Sequence, residues 1–121
     1  MNAKHVHIAK QGYKAMQAWA EANPDTMFDL SGATFVEPLS VSGLAFGDFD
    51  ADDATFGKFF AHEATFGTFS ARGATFEMFC AEGAWFEDLS VVGATIEYFN
   101  VKDATIGNCN IRDALITRRA S

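Results

Sequence analysis

Between Ala54 and Gly83 the chain reads ATFGK FFAHE ATFGT FSARG ATFEM FCAEG, a run of five-residue blocks. One kind of block puts Ala first and Phe third, as in Ala54/Phe56, Ala64/Phe66 and Ala74/Phe76. The other reverses them, as in Phe59/Ala61, Phe69/Ala71 and Phe79/Ala81. The third residue is here the centre and the first the shoulder. A period of five fits neither regular element, because an amphipathic helix repeats at 3.6 and a half-buried strand at two. Within each block the apolar pair is two apart, as on one face of a strand, and polar or small residues follow. Each block therefore predicts a short strand plus a corner. No block can bury its own apolar pair, so the chain must coil and stack, with backbone bonds between coils about 4.8 Å apart. For like to stack on like, a coil must hold an even number of blocks.

This pattern closely resembles the pentapeptide-repeat proteins, whose blocks run small residue, Asp or Asn, Leu or Phe, polar residue, then any residue. CNIRD at 109–113 fits that pattern, with Ile at the centre, and ATFGT at 64–68 fits except at the Asp/Asn position. The resemblance covers roughly residues 31–118. Thr replaces Asp or Asn in most Ala-first blocks, and alternate blocks carry Phe at the shoulder. The resemblance implies an all-β solenoid: a right-handed quadrilateral β-helix of about four coils, four blocks to a coil, with an N-terminal helical cap. It also implies a bacterial source.

Four sides predict that residues 20 apart stack. The centre columns then read Phe46, Phe66, Phe86, Ile106 and Phe56, Phe76, Ile96, Ile116. The shoulder columns read Phe49, Phe69, Leu89, Cys109 and Leu39, Phe59, Phe79, Phe99. Where a shoulder shrinks, its own centre grows: Phe69 sits with Ala71, Leu89 with Val91, Cys109 with Ile111. Conserved volume is what a dense interior demands, although Phe99 with Val101 departs from it. In this register Cys80 points outward and Cys109 inward, so both should be free thiols. Two cysteines are too few for a disulfide framework, which suits a reducing, cytoplasmic compartment.

Eleven of the 13 Phe fall at inward positions. Each contributes roughly 1.5–3 kcal/mol by burial, so the rod needs no staples. Residues 31–121 form this unit, and residues 1–30 form a capping helix and linker. The cap, KHVHIAKQGYKAMQAWAEA at 4–22, carries Val6, Ala9, Tyr13, Met16 and Ala20 at helical spacing. It is expected as one helix, with Gly12 weakening it and Pro24 ending it. KQG at 10–12, AW at 18–19, NPD at 23–25 and DLSGA at 29–33 resemble the leader of bacterial family members. The helix should cover the open strand edge of the first coil. Between Phe35 and Leu39 the spacing slips by one residue, at Val36-Glu37-Pro38, which predicts a distorted first coil.

No apolar run reaches the length of a membrane span, and the N-terminus lacks a signal-peptide core. The net charge is −7, with residues 1–30 contributing nothing to it. An acidic rod opposes direct nucleic-acid binding, which needs clustered Lys and Arg. His5, His7 and His62 are scattered and read as solvated. Asp48, Asp50, Asp52 and Asp53 cluster at one corner, a weak candidate for a divalent ion. No phosphate loop, nucleophile elbow or metal-spaced Cys/His set is present, so the chain reads as non-enzymatic, without metal or cofactor.

Two surfaces stand out. Phe60 and Cys80 share one outward column and Met78 and Tyr98 the next, forming a candidate interaction patch for a protein partner of unknown identity. At the C-terminal end Ile111, Ala114, Leu115 and Ile116 look uncovered, with Arg119 at a shoulder, and predict a homodimer through the last coil. The reading is a structural, self-associating interaction module. The family suggests an alternative, an acidic duplex-DNA mimic that binds a type II topoisomerase such as gyrase and protects it from quinolones or toxins. Against it, Asp52 should stack under Arg72, and only Glu77 with Glu97 makes a like-charged column.

Overall fold

A computed structural model describes residues 1–120; Ser121, the last residue of the expected 31–121 unit, lies outside the described residues. Two helices open the chain, α1 (Ala3–Gln11) and α2 (Tyr13–Ala22). Four two-residue strands follow: β1 (Phe28–Asp29), β2 (Thr34–Phe35), β3 (Leu39–Ser40) and β4 (Phe49–Asp50). Then come six-residue strands at intervals of ten: β5 (Thr55–Phe60), β6 (Thr65–Ser70), β7 (Thr75–Cys80), β8 (Trp85–Ser90), β9 (Thr95–Asn100) and β10 (Thr105–Asn110). The last strand is β11 (Leu115–Arg119).

All pairing is parallel. One sheet runs β1-β4-β6-β8-β10; the other runs β11-β9-β7-β5-β2, with β3 also on β5. The fold is therefore an all-β solenoid of about five turns with an N-terminal helical cap. The sequence reading counted about four. The difference is β1, which pairs Phe28 with Phe49 and so brings residues before position 31 into the ladder.

The spacing of 20 is the ladder register: Phe56 pairs with Phe76, Phe66 with Phe86, Phe76 with Ile96. In the first turn it is 21, Phe28 to Phe49 and Phe35 to Phe56. The extra residue is the slip at Val36-Glu37-Pro38, and Val36 bulges into solvent.

The strands β5 to β9 bury their second and fifth residues, whereas β10 half-buries the second and exposes the fifth. A straight strand would bury residues two apart, so the strand folds over a corner between them, at Gly57-Lys58 in β5. The rings on either side stand steeply to one another: Phe56 to Phe59 at 59°, Phe66 to Phe69 at 80°, Phe76 to Phe79 at 86°. Along a column they lie flat on one another, Phe56 on Phe76 at 4.9 Å and 4°. Twelve of the 13 Phe are buried, Phe60 being the exception. Thr34, Thr55, Thr75 and Thr95 form an outward column, and the β-branched side chain suits an extended wall.

The other corners are tight turns. Ala64 N donates to Ala61 O at 3.1 Å, with Glu63 at φ 57°. The same left-handed position falls at Gly32, Gly43, Asp53, Glu63, Gly73, Gly83, Gly93, Asp103 and Asp113, ten apart except for eleven across the slip. The ladder passes through these corners too, as Glu63 N donates to Glu82 O at 2.9 Å.

The expected single helix over 4–22 is two. Gly12 adopts φ 110° and ψ −170°, which ends α1 and starts α2 instead of merely weakening one helix. The break lets both helices lie over the first coil, with Ala9, Met16 and Ala20 buried. Asn2 Oδ1 caps α1 by accepting from Lys4 N and His5 N. The helices end at Ala22, before Pro24, as expected.

Candidate functional site

The buried aromatic columns fill the interior of the rod, and depressions lie on its surface. One depression of about 520 Å³ lies between the helix break and the first-coil bulge, lined by Tyr13, Met16, Phe35, Val36, Pro38 and Leu39. The helix break and the slip create it together, and neither is a motif, so sequence reading missed it.

The acidic corner is structural. Asp48 Oδ1 accepts from Thr68 N at 3.0 Å, one coil on. Asp50 Oδ1 accepts from Asp52 N at 2.9 Å. Asp52 accepts from the Ser70 hydroxyl and from Arg72 N, and pairs with the Arg72 guanidinium at 3.0 Å. Burial pushes the Asp52 carboxyl up, but the Ser70 and Arg72 donors outweigh it and hold it below the usual range. Asp50 is raised, by burial and by its neighbours Asp52 and Asp29. Among the described residues, no group of three or more His, Cys, Asp and Glu is placed to hold a metal ion.

The candidate patch is arranged as the register requires. Phe60 pairs with Cys80, and Met78 with Tyr98. Cys80, however, is 4% exposed and adds no surface. The sequence reading pointed it outward because its column is outward; in the stack it lies between Phe60 and Asn100 and is buried. Phe60, Met78 and Tyr98 remain half-buried. The Arg118 guanidinium lies 5.7 Å over the Tyr98 ring, closing the upper margin of the patch.

The C-terminal end is the least covered part of the described rod. Cys109 continues the column of Leu89, as expected, yet it is exposed. Ile111 is 37% and Leu115 70% exposed, while Ala114 and Ile116 are half-buried. Arg119 pairs with Phe99 and its guanidinium lies 5.9 Å from that ring, so one column of four ends under a charged group.

One histidine departs from the sequence expectation. His5 is not a solvated histidine: its ring stacks on Phe28 at 5.1 Å and meets Trp19 edge-on at 4.9 Å. Only the fold brings these rings together, since Phe28 is 23 positions away along the chain. No helix is long and apolar enough to cross a membrane among the described residues. Compared with family models, curated proteins and solved structures, the chain matches none of them.

Proposed function

We propose that the chain is a pentapeptide-repeat protein acting in the cytoplasm as a non-catalytic protein–protein interaction module, and that it self-associates through its C-terminal coil. The reading rests on that coil. Ile106, Cys109, Ile111, Ala114 and Ile116 hold inward positions there with little above them, and β10 and β11 present unpaired ladder edges. A second copy would satisfy both needs at once, hydrogen bonds for the edge and apolar cover for the core. Analytical ultracentrifugation tests it. A species of twice 13.1 kDa is expected, falling to the single mass when Ile111→Asp and Leu115→Lys are combined. A monomer at tens of micromolar overturns it.

A second reading, the acidic mimic that engages a type II topoisomerase, is favoured by one observation. Residues 31–100 carry only Lys58 and Arg72 as cations, against eleven acids. Inhibition of gyrase supercoiling at micromolar protein is the expected outcome, and its absence removes this reading while leaving the first intact.

A further inference from the structure

The cap meets the solenoid through one titratable ring. His5 lies on α1 near its N-terminus, stacked on Phe28 and edge-on to Trp19. Its Nδ1 accepts the backbone N–H of Asp29 at 2.9 Å. Asp29 belongs to β1, the first rung, so this bond covers part of an edge that no other strand pairs. An imidazole accepts at Nδ1 only when that nitrogen carries no proton, and its proton then sits on Nε2. Asn2 places its side-chain amide 3.4 Å from Nε2.

The two helices are held differently. α2 is anchored by Met16, by Trp19 on Phe28 at 4.7 Å, and by the Tyr13 hydroxyl, which donates to Ser42 O at 2.6 Å. α1 buries Ala9 and half-buries Val6 and Ile8, and His5 provides its side-chain hydrogen bond to the first rung. Between them stands Gly12, at φ 110° with open space around the position of a Cβ. It is the one residue in the cap that can change its dihedrals without a steric cost.

We propose that His5 is an acid-released latch: protonating its ring breaks the bond to Asp29 N–H, and α1 swings away about Gly12 while α2 stays docked. An imidazolium presents N–H where the site presents N–H, and two donors repel. The charges around the ring do not rescue it. From β1 the Asp29 carboxylate attracts a proton, but the Met1 ammonium, 3.8 Å from Asp29 Oδ2, offsets that charge. From α2 the ring meets the indole of Trp19, which carries no charge. Burial dominates over Asp29 and lowers the proton affinity of His5 below its ordinary value of 6.5. A free ring therefore binds protons more readily than a docked one. Docking is complete above about pH 6.5 and is lost as the pH falls through the docked ring's own titration. Release uncovers the face of the Phe28 ring that His5 covers and the edge of β1, an apolar surface and an unpaired rung.

The test is hydrogen exchange read as protection factors between pH 7.5 and 5.0, with the His5 ring followed by NMR in the same samples. His5 is expected to titrate below 6.5. Protection of the α1 amides and of Asp29 N–H should be lost over that range, while β7 keeps its protection. In His5→Phe, which keeps the stack but cannot titrate, protection of α1 should not change with pH. Equal acid loss in His5→Phe overturns the latch, and so does acid-independent protection of α1 in the wild type. A His5 titration at or above 6.5 overturns it from the unmodified chain alone, whether or not the variant folds.

Discussion

Glu63 and Gly83 stand one above the other at the same left-handed turn position, φ 57° and φ 71°, and a Cβ on Gly83 would lie 3.2 Å from Glu63 Cγ. A non-glycine residue there costs about 1–2 kcal/mol, and Glu lacks the short side chain that lets Asp bond its own backbone. Glu63→Gly should therefore stabilise the rod by about 0.5–1 kcal/mol, once the greater freedom of glycine in the unfolded chain is subtracted. Gly83→Ala should destabilise it, and by less in the Glu63→Gly background, because the tight contact is then gone. Chemical denaturation of the four proteins reads the coupling directly.

The aromatic columns tolerate shape change where the volume stays close. Phe76 is 1% exposed and packs on Phe56 below it, with Ile96 at the same position above. Phe76→Ala should cost about 3–5 kcal/mol through the cavity it leaves. Phe76→Leu should cost clearly less, since the column already changes to Ile one coil later. Similar midpoints for the two variants in a denaturant series would contradict the stacked-column account.

Asp50 is a charge the fold does not favour. Its carboxyl is raised by burial first and then by Asp52 and Asp29, so the unfolded chain releases that proton more readily. Stability is lost as the pH rises through this titration, and at neutral pH Asp50 is a net liability. Asn100 and Asn110 hold the equivalent place and accept from Lys102 N and Arg112 N as Asp50 does from Asp52 N. Asp50→Asn should thus raise stability at pH 7 by a few tenths of a kcal/mol after solvent screening. The gain should vanish near pH 3.

Asp52 behaves in the opposite sense. Its carboxyl is held below the usual range although burial opposes this, because Ser70 and Arg72 donate to it. Its contribution is present above the unfolded value and lost as the pH falls through the folded one. Asp52→Ala should cost about 1 kcal/mol at pH 7, chiefly through the lost hydrogen bond to the part-buried Ser70 hydroxyl, since water replaces the exposed contacts to Arg72. Thermal unfolding of Asp52→Ala should also depend less on pH below 4 than that of the parent chain.

The alternation of Ala-first and Phe-first blocks determined the wall, the register of 20 and the aromatic columns, because residues five apart fall on successive sides whatever lies beyond the strand. Pro38 and the single-residue slip were equally legible, and the ladder offset of 21 is their direct result. The ten-residue spacing of Gly and Asp, with Glu63, is a further sequence signal of the left-handed corners, carried by the polar positions and not by the apolar pairs. Other features were decided only when distant segments met. Cys80 is buried although its column faces out, because Phe60 and Asn100 flank it in the stack. Gly12 breaks the cap at φ 110°, and helix periodicity carries no information about what lies beneath it. His5 gained its role from Phe28, Asp29 and Trp19 together. Local patterning fixes which way a side chain points from its own backbone, whereas the neighbours that surround it come from other coils, and those follow from the closed fold alone.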